Sequence, residues 1–282
     1  MTVTASPAAP ADSAVLPRLL AGIGHQRTLG LAEHEREYGT LWLRGRSGQR
    51  RPERLIDMVE AAGLTGRGGA GFPTGRKMRS VAGRGEAVVV ANGAEGEPAS
   101  AKDRLLLTYL PHLVLDGITL AADAVGTTEA HLCVHRQEHD LIDGLAAAVA
   151  ERRRAGLDPV PIQITGIPGR YVSSEQSSIV HYLNGGPGKP TFSPPRPHES
   201  GVRGRPTLVN NVETLSHVAL IARQGDRWFR GAGLPSAPGS MLVTVDGAVR
   251  WPGVDEIELG TGTACLGLRP EGGAQRHAGA RA

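Results

Sequence analysis

Cysteine is nearly absent from this chain: two in 282 residues, Cys133 and Cys265. That excludes a disulfide scaffold. It also excludes a zinc or iron–sulfur centre built from this chain's own thiolates alone, since such centres take three or four ligands. Aromatic residues make up only 4%. No apolar run approaches the roughly 18 residues that mark a membrane-spanning helix. The opening stretch has no basic residue before Arg18 and carries prolines at 7, 10 and 17. It reads as a loose leader over 1–50 rather than a signal peptide, which makes the cytoplasm the expected compartment. Lysine is scarce too, with Lys77, Lys102 and Lys189 the only three among 31 basic residues. The net charge is +3, and the arginines are scattered apart from the run Arg152, Arg153, Arg154. No basic stripe with interleaved aromatics exists, so nucleic acid is not an expected partner. The arginine run reads as the solvated end of a helix.

Glycine, by contrast, is abundant: 39 residues, about twice the usual share. The glycines are not periodic, which excludes collagen, and a 40% hydrophobic fraction argues against wholesale disorder. They serve loops and close backbone approach. Residues 31–38 form a short polar helical stretch. Leu55, Met58 and Val59 recur at helical spacing in a helix over 54–62 that stops at Gly63. After a glycine-rich loop (63–77) the pattern alternates: strand 87–91, helix 103–125, strand 130–135, helix 138–154 and strand 160–165, edge-like because of Pro161. This β-α-β-α-β order implies an α/β fold, a parallel sheet with covering helices. Helices are expected over 173–183 and 211–223. A hairpin is expected over 241–250, turning at Asp246–Gly247. The stretch after Gly260 cannot bury much and reads as a disordered tail.

The loop GLTGRGGAGFPTGRK contains Gly66, Gly68 and Gly71 in G-x-G-x-x-G spacing, with Glu86 twenty residues after Gly66. The context differs from a dinucleotide fingerprint, because a helix rather than a strand precedes it. No Gly-Lys-Ser/Thr closes it, so it is not a P-loop. Two readings stand: a flexible surface loop, or bare backbone N–H groups that surround an anionic cofactor with Arg67 and Lys77. Phe72, between glycines with little core to join, suits a stacking role. In AVVVANGAEGEPASAKDR, Asn92, Glu95 and Glu97 emerge where open α/β sheets hold ligands. Asn reads a heterocycle edge, and carboxylates accept from ribose hydroxyls. Equally, acidic residues there suit the N-terminus of a helix. Each of the three lysines falls in a segment singled out on other grounds. A compact ammonium is not replaceable by a guanidinium at a tight phosphate contact.

Four segments in order, GRGGAGFPTGRK (66–77), NGAEGEPASAKDR (92–104), YVSSEQSSIVHYLNG (171–185) and RPTLVNNVETL (205–215), resemble the family of NADH-binding flavoprotein subunits of respiratory complex I. That family includes the diaphorase subunits of NAD-linked hydrogenases and formate dehydrogenases. The resemblance implies an FMN- and NADH-binding α/β domain over 51–240 and the start of a ubiquitin-like β-domain over 241–260. It implies Gly66, Arg67, Gly68 and Lys77 around the FMN phosphate and ribityl chain, Asn92 at the ring, and Asn210 and Asn211 closing the pocket. Ser174 stands at the flavin, and Glu95 and Glu175 are candidates for orienting the nicotinamide amide and the ribose. Phe72 stacks on the nicotinamide nucleotide, Glu97 binds its ribose, Gln176 lies near NADH, and Lys189 and Phe192 hold the adenosine end.

The departures from the family pattern are specific. Ala94 stands where the family has Asp, which removes a carboxylate from the flavin side. Ser173-Ser174-Glu175-Gln176 replaces Cys-Gly-Glu-Glu, so that a side chain at 174 crowds the ring. The second adenine-site aromatic is missing, since Met78, Arg79 and Ser80 follow Lys77. The family's Cys-x-x-Cys-x-x-Cys motif, whose thiolates hold a [4Fe-4S] cluster, has no counterpart. Cys133 falls in a predicted buried strand, where free cysteine is inert. The expected function is hydride transfer from NADH to FMN, with electrons passing to an iron–sulfur partner subunit or a soluble acceptor, at a location peripheral to a membrane complex. The alternatives are a truncated, non-catalytic remnant and an assembly or binding subunit of an electron-transfer complex.

Overall fold

The computed structural model describes residues 16–23, 27–41, 52–192, 194–249 and 252–262. Most of the expected leader, Cys265 and residues 263–282 of the expected tail lie outside the described residues. Helix α1 (Leu31–Tyr38) comes first, then α2 (Pro52–Ala62) and α3 (Thr74–Val81). Strand β1 (Val88–Asn92) is followed by α4 (Lys102–Tyr109), α5 (Pro111–Val125), β2 (Ala130–His135), α6 (His139–Arg154) and β3 (Ile162–Ile167). A 3-10 turn (Tyr171–Ser174), α7 (Gln176–Leu183) and a second short turn (Val202–Gly204) lead to β4 (Thr207–Asn211), α8 (Val212–Gln224) and α9 (Asp226–Arg230). The two-residue strands β5 (Gly233–Leu234) and β6 (Ala237–Pro238) precede a hairpin of β7 (Ser240–Val245) and β8 (Gly253–Glu258).

The first four strands form one parallel sheet in the order β3-β2-β1-β4. Val89 lies opposite Ala130, Cys133 opposite Thr165, and Asn92 opposite Asn211. Strand alternation explains why both faces are covered. Val89 and Ala91 join the larger core with α5 and α8, while Val88 and Val90 join a smaller one with Ile179 and Val180 of α7. Burying each such branched side chain is worth about 1.5–3 kcal/mol. α5 and α8 approach so closely that a Cβ on Gly117 would lie 2.1 Å from the Leu215 carbonyl oxygen. Only glycine fits there. Chain order sets the position of the ligand crevice. β1, β2 and β3 run outward in sequence, and β4 then adds on the other side of β1. The order therefore reverses between β1 and β4, and the carboxyl ends of strands at such a reversal form a crevice where α/β proteins bind ligands.

The expected strands over 87–91, 130–135 and 160–165 are β1, β2 and β3, with β3 at the sheet edge. Other expectations need correction. The single helix over 103–125 is two, α4 and α5, bent by 96°. Pro111 removes an N–H and pushes Leu110 out of helical geometry, where its ψ is 46°. Among the described residues no single helix is long and apolar enough to cross a membrane. The expected hairpin pairs 240–245 with 253–258 rather than with 248–250, so Asp246 and Gly247 only begin a longer connection. The arginine run is not uniformly solvated. Arg153 and Arg154 are exposed, but Arg152 is fully buried. Its Nη1 lies 2.6 Å from Asp116 Oδ1 and its Nη2 2.8 Å from Asp158 Oδ1. Helix α3 and strand β4 have no counterpart among the expected elements.

Candidate functional site

At the order reversal the glycine loop closes on itself. Thr65 bridges Pro73, and the Gly66 N–H donates to the Phe72 carbonyl at 2.9 Å. Gly69 (φ 99°) and Gly71 (φ 60°) occupy the left-handed region, with nothing within 4 Å of where a Cβ would stand. The loop therefore needs glycine for its backbone and leaves that backbone open. A Cβ on Gly68 would sit 3.2 Å from Cβ of Asn211, which ties the loop to the end of β4.

The two candidate cations of the loop, Arg67 and Lys77, part company. The Arg67 guanidinium turns away from the loop's open side. Its Nε donates to the Ser240 carbonyl (3.1 Å) and its Nη1 to Thr65 O and Oγ1 (2.8 Å each). Burial holds Arg67 below its ordinary range. The Lys77 ammonium, at the foot of the loop, donates to the Val209 carbonyl (2.5 Å) and to Gln176 Oε1 (3.3 Å). No carboxylate meets it among the described residues. Burial alone lowers its pKa to about 8.

The asparagines fall into bracing and open roles. Asn92 Nδ2 donates to the Ser174 carbonyl (2.7 Å), and its Oδ1 accepts from the Ala94 N–H (3.1 Å). This joins the loop after β1 to the turn before α7. Asn211 caps α8 by accepting from the Glu213 N–H (3.0 Å), and its Nδ2 donates to Asp103 Oδ2 (2.6 Å). Asn210 is buried, in register with Ala91, and its Nδ2 has no hydrogen-bond partner among the described residues. A buried amide donor without an acceptor costs about 1–3 kcal/mol, so such a group in a crevice signals an absent partner.

Two of the three acidic candidates, Glu95 and Glu175, are engaged by the backbone. One oxygen of Glu95 accepts from the N–H groups of Lys102 (3.0 Å) and Asp103 (3.3 Å) and from the Ser100 hydroxyl, which caps α4. Burial, with Asp103 beside it, raises its carboxyl. Glu175 caps α7, accepting from Ser177 (2.8 Å) and Ser178 (3.2 Å). Glu97 is exposed and accepts from the Tyr171 hydroxyl at 3.1 Å. Ala94 is packed against Val90 and Cys133 in the smaller core. Ser174 directs its hydroxyl to the Tyr171 carbonyl (2.9 Å) and rests on Gly96, where a Cβ would come within 2.2 Å of it.

Phe72 is 48% exposed and Phe192 90%, each with a face for stacking. Lys189 is also exposed. Beside Phe192 a cavity of about 200 Å³ is bounded by Glu175, Gln176, Thr191 and Pro195. The structure thus brings Gly68 to Asn211, Asn211 to Asn92 and Asn92 to Ser174, while Lys77 meets Gln176 and the carbonyl of Val209, the residue before Asn210. Phe192 stands with Glu175 and Gln176 on the cavity. The Arg67 side chain is drawn to β7, Glu95 is taken up at the start of α4, and among the described residues no hydrogen bond brings Phe72, Glu97 or Lys189 to this group.

Sequence reasoning passed over a buried ionic joint beneath this crevice. Lys102 Nζ lies 2.7 Å from Asp103 Oδ1 and 2.9 Å from Glu213 Oε2. Glu213 is fully buried and also accepts from the Leu242 N–H (2.8 Å). Burial favours loss of the charge on Lys102, but the two carboxylates outweigh it and raise its pKa. The one signal available in sequence was Lys102 itself, among three lysines in an arginine-rich chain.

An open glycine loop, a part-buried ammonium and a buried amide, neither matched by a counter-ion or acceptor among the described residues, lie near the reversal of a parallel sheet. That combination defines the class: an α/β domain built to hold a phosphate-bearing heterocyclic cofactor. The described groups fit FMN, whose phosphate needs the cation and whose ring offers acceptors to an amide. Residues 59–220 match the model of the Nuo51 FMN-binding domain, and the chain belongs to that family. It is 34% identical over 242 residues to the F 2 subunit of NADH-quinone oxidoreductase from Rhizobium meliloti, covering 82% of this chain and 57% of that protein. It is 36% identical over 247 residues to the alpha subunit of the NAD-reducing hydrogenase HoxS from Cupriavidus necator, covering 80% and 41%. A crystal structure of an NAD+-reducing [NiFe]-hydrogenase in the H2-reduced state superposes with a TM-score of 0.73 at 39% identity, covering 77% of this chain and 38% of that one. The chain spans about half the length of the curated relatives it matches.

Proposed function

We propose that this chain is the FMN- and NADH-binding part of a diaphorase-type NADH dehydrogenase, and that it transfers hydride from NADH to FMN. The observation that carries the reading is the buried Asn210 amide without an acceptor among the described residues, next in sequence to the Val209 carbonyl that receives Lys77, which meets no carboxylate among them. Lys77 and the bare backbone at Gly68–Gly71 hold the phosphate and ribityl chain. Asn210 donates to the ring, while Asn92, Ser174 and Asn211 set the loops around it. Phe72 stacks on the nicotinamide nucleotide and Glu97 accepts from its ribose. Lys189 and Phe192 hold the adenosine end beside Gln176. Glu95 and Glu175, each with one oxygen given to capping, orient the substrate through the loops they fix. Bound FMN supplies the hydride acceptor, and no side-chain acid or base is needed for that step.

Electrons then leave to an iron–sulfur partner subunit or a soluble acceptor. In this reading residues 51–240 are the cofactor domain, and 241–260 open a small ubiquitin-like β-domain.

The test is the purified protein loaded with FMN and assayed for NADH-dependent ferricyanide reduction. Activity that disappears when the flavin is released by acid, and returns on adding FMN, supports the reading. A flavin-loaded protein that does not reduce ferricyanide contradicts it and favours a binding or assembly role.

A further inference from the structure

Strand β7 contacts three cofactor segments that are far apart in sequence. Ser240, Leu242 and Thr244 are alternate residues and so share one side of the strand. The Ser240 carbonyl accepts from Arg67 Nε of the glycine loop (3.1 Å). The Leu242 N–H donates to Glu213 Oε1, two residues past Asn211 (2.8 Å). The Thr244 hydroxyl accepts from the N–H of Ala101, where the loop after β1 enters α4 (3.0 Å). Glu213 extends the middle contact through Lys102 to Asp103, and Asp103 accepts from Asn211. The hairpin is itself anchored. Ser240 Oγ donates to Glu256 Oε1 (2.5 Å), and Glu256 Oε2 accepts from the Arg18 N–H (2.7 Å). Leu242 and Val254 are buried in the main core.

We infer that β7 is a positioning strand for the flavin site, with Thr244 and Glu213 as positioning residues that hold the three cofactor segments at one spacing. This explains why Arg67 turns inward. Its guanidinium fixes the base of the glycine loop to β7, leaving Lys77 as the candidate cation that meets no carboxylate among the described residues. The two ends of the contact row differ in kind. Arg67 offers a charged donor to a main-chain carbonyl, whereas Thr244 offers a side-chain acceptor that a valine of the same shape removes.

The inference rests on FMN binding at this crevice, and its test separates the two claims. FMN affinity is measured by quenching of flavin fluorescence for wild type, Thr244→Val, Thr244→Ser and Val254→Ala. In parallel, amide hydrogen exchange over 66–77 is followed in the flavin-free proteins. Thr244→Val is expected to weaken FMN three- to tenfold, in line with one net hydrogen bond, and to speed exchange over 66–77, to which its hydroxyl makes no hydrogen bond among the described residues. Thr244→Ser restores both to near wild type. Val254→Ala lowers the melting temperature by shrinking the core contact but leaves FMN affinity within twofold. Unchanged affinity and exchange in Thr244→Val overturn the inference. So does a loss in Val254→Ala equal to that in Thr244→Val, because the effect then follows stability alone. Wild-type protein that binds no FMN overturns the functional reading instead, and the exchange comparison still decides the role of β7.

Discussion

Around Asp116 every named charge meets its opposite inside the chain. One oxygen receives Arg152; the other receives His34 Nε2 at 2.6 Å and the Arg223 guanidinium. Arg152 is shared with Asp158. Around Lys77 the reverse holds. The ammonium is part-buried against a carbonyl and an amide oxygen, and the Asn210 amide donates to no group among the described residues. Both clusters sit on the same parallel-sheet core. The difference separates scaffolding from binding. A buried charge matched within the chain holds α1, α5, α6 and α8 together, and in the proposed function the charge left unmatched among the described residues takes a ligand of opposite sign. The ionisation equilibria divide the same way. Burial would raise the Asp116 carboxyl, but His34, Arg152 and Arg223 outweigh it and hold it well below the usual carboxylate range. Lys77 has only burial acting on it and falls to about 8.

The contrast is broken most severely at Asp116. Asp116→Ala leaves Arg152 and Arg223 without this partner in the core and is expected to cost about 3–5 kcal/mol in urea unfolding. In wild type the same group makes stability depend on pH in acid. Its folded pKa is depressed, so its contribution is complete above the unfolded value near 4 and lost as pH falls below it. Urea midpoints measured from pH 6 to pH 3 should fall in wild type and change less in Asp116→Ala.

Next in size is Lys77→Met. It removes a charge-assisted contact worth about 1.5–3 kcal/mol, which means FMN binding weaker by roughly 10- to 150-fold. Protein stability is not expected to fall, because an uncompensated buried charge has been removed. A smaller effect is expected at Gly69→Ala. The left-handed backbone costs on the order of 1 kcal/mol in stability, though nothing lies where the methyl would go. The smallest is Arg153→Ala, an exposed neighbour of Arg152, which should shift stability by less than about 0.5 kcal/mol. Arg152→Ala should approach the Asp116→Ala loss, and equal effects from the two arginines would erase the contrast between a matched buried charge and a solvated one.

How much of this was legible in sequence follows from the range of the interactions. β1, β2 and β3 were readable because short apolar runs bounded by helices carry their own signal. β4 was hidden because TLVNN is five residues long and runs directly into α8. The glycine loop was visible in composition, but the separation of Arg67 from Lys77 was not. It depends on Ser240, 173 positions away. The burial of Arg152 was likewise set by Asp116, 36 residues earlier. Glu95 and Glu175 stood in family motifs as substrate groups. The capping of α4 by Glu95 follows the alternative already offered for the acidic residues after β1, whereas the capping of α7 by Glu175 had no such reading in sequence.

That Lys77 is a cation awaiting an anionic cofactor is tested most directly by titrating FMN into flavin-free wild-type and Lys77→Met protein between pH 6.5 and pH 9.5. One FMN should bind per wild-type chain. Affinity should be flat below the lysine's value of about 8 and weaken above it by up to about tenfold per pH unit. Lys77→Met should bind weakly at every pH, with no such slope. A wild-type affinity that does not change across this range, or a Lys77→Met protein that binds FMN as tightly as wild type, would contradict it.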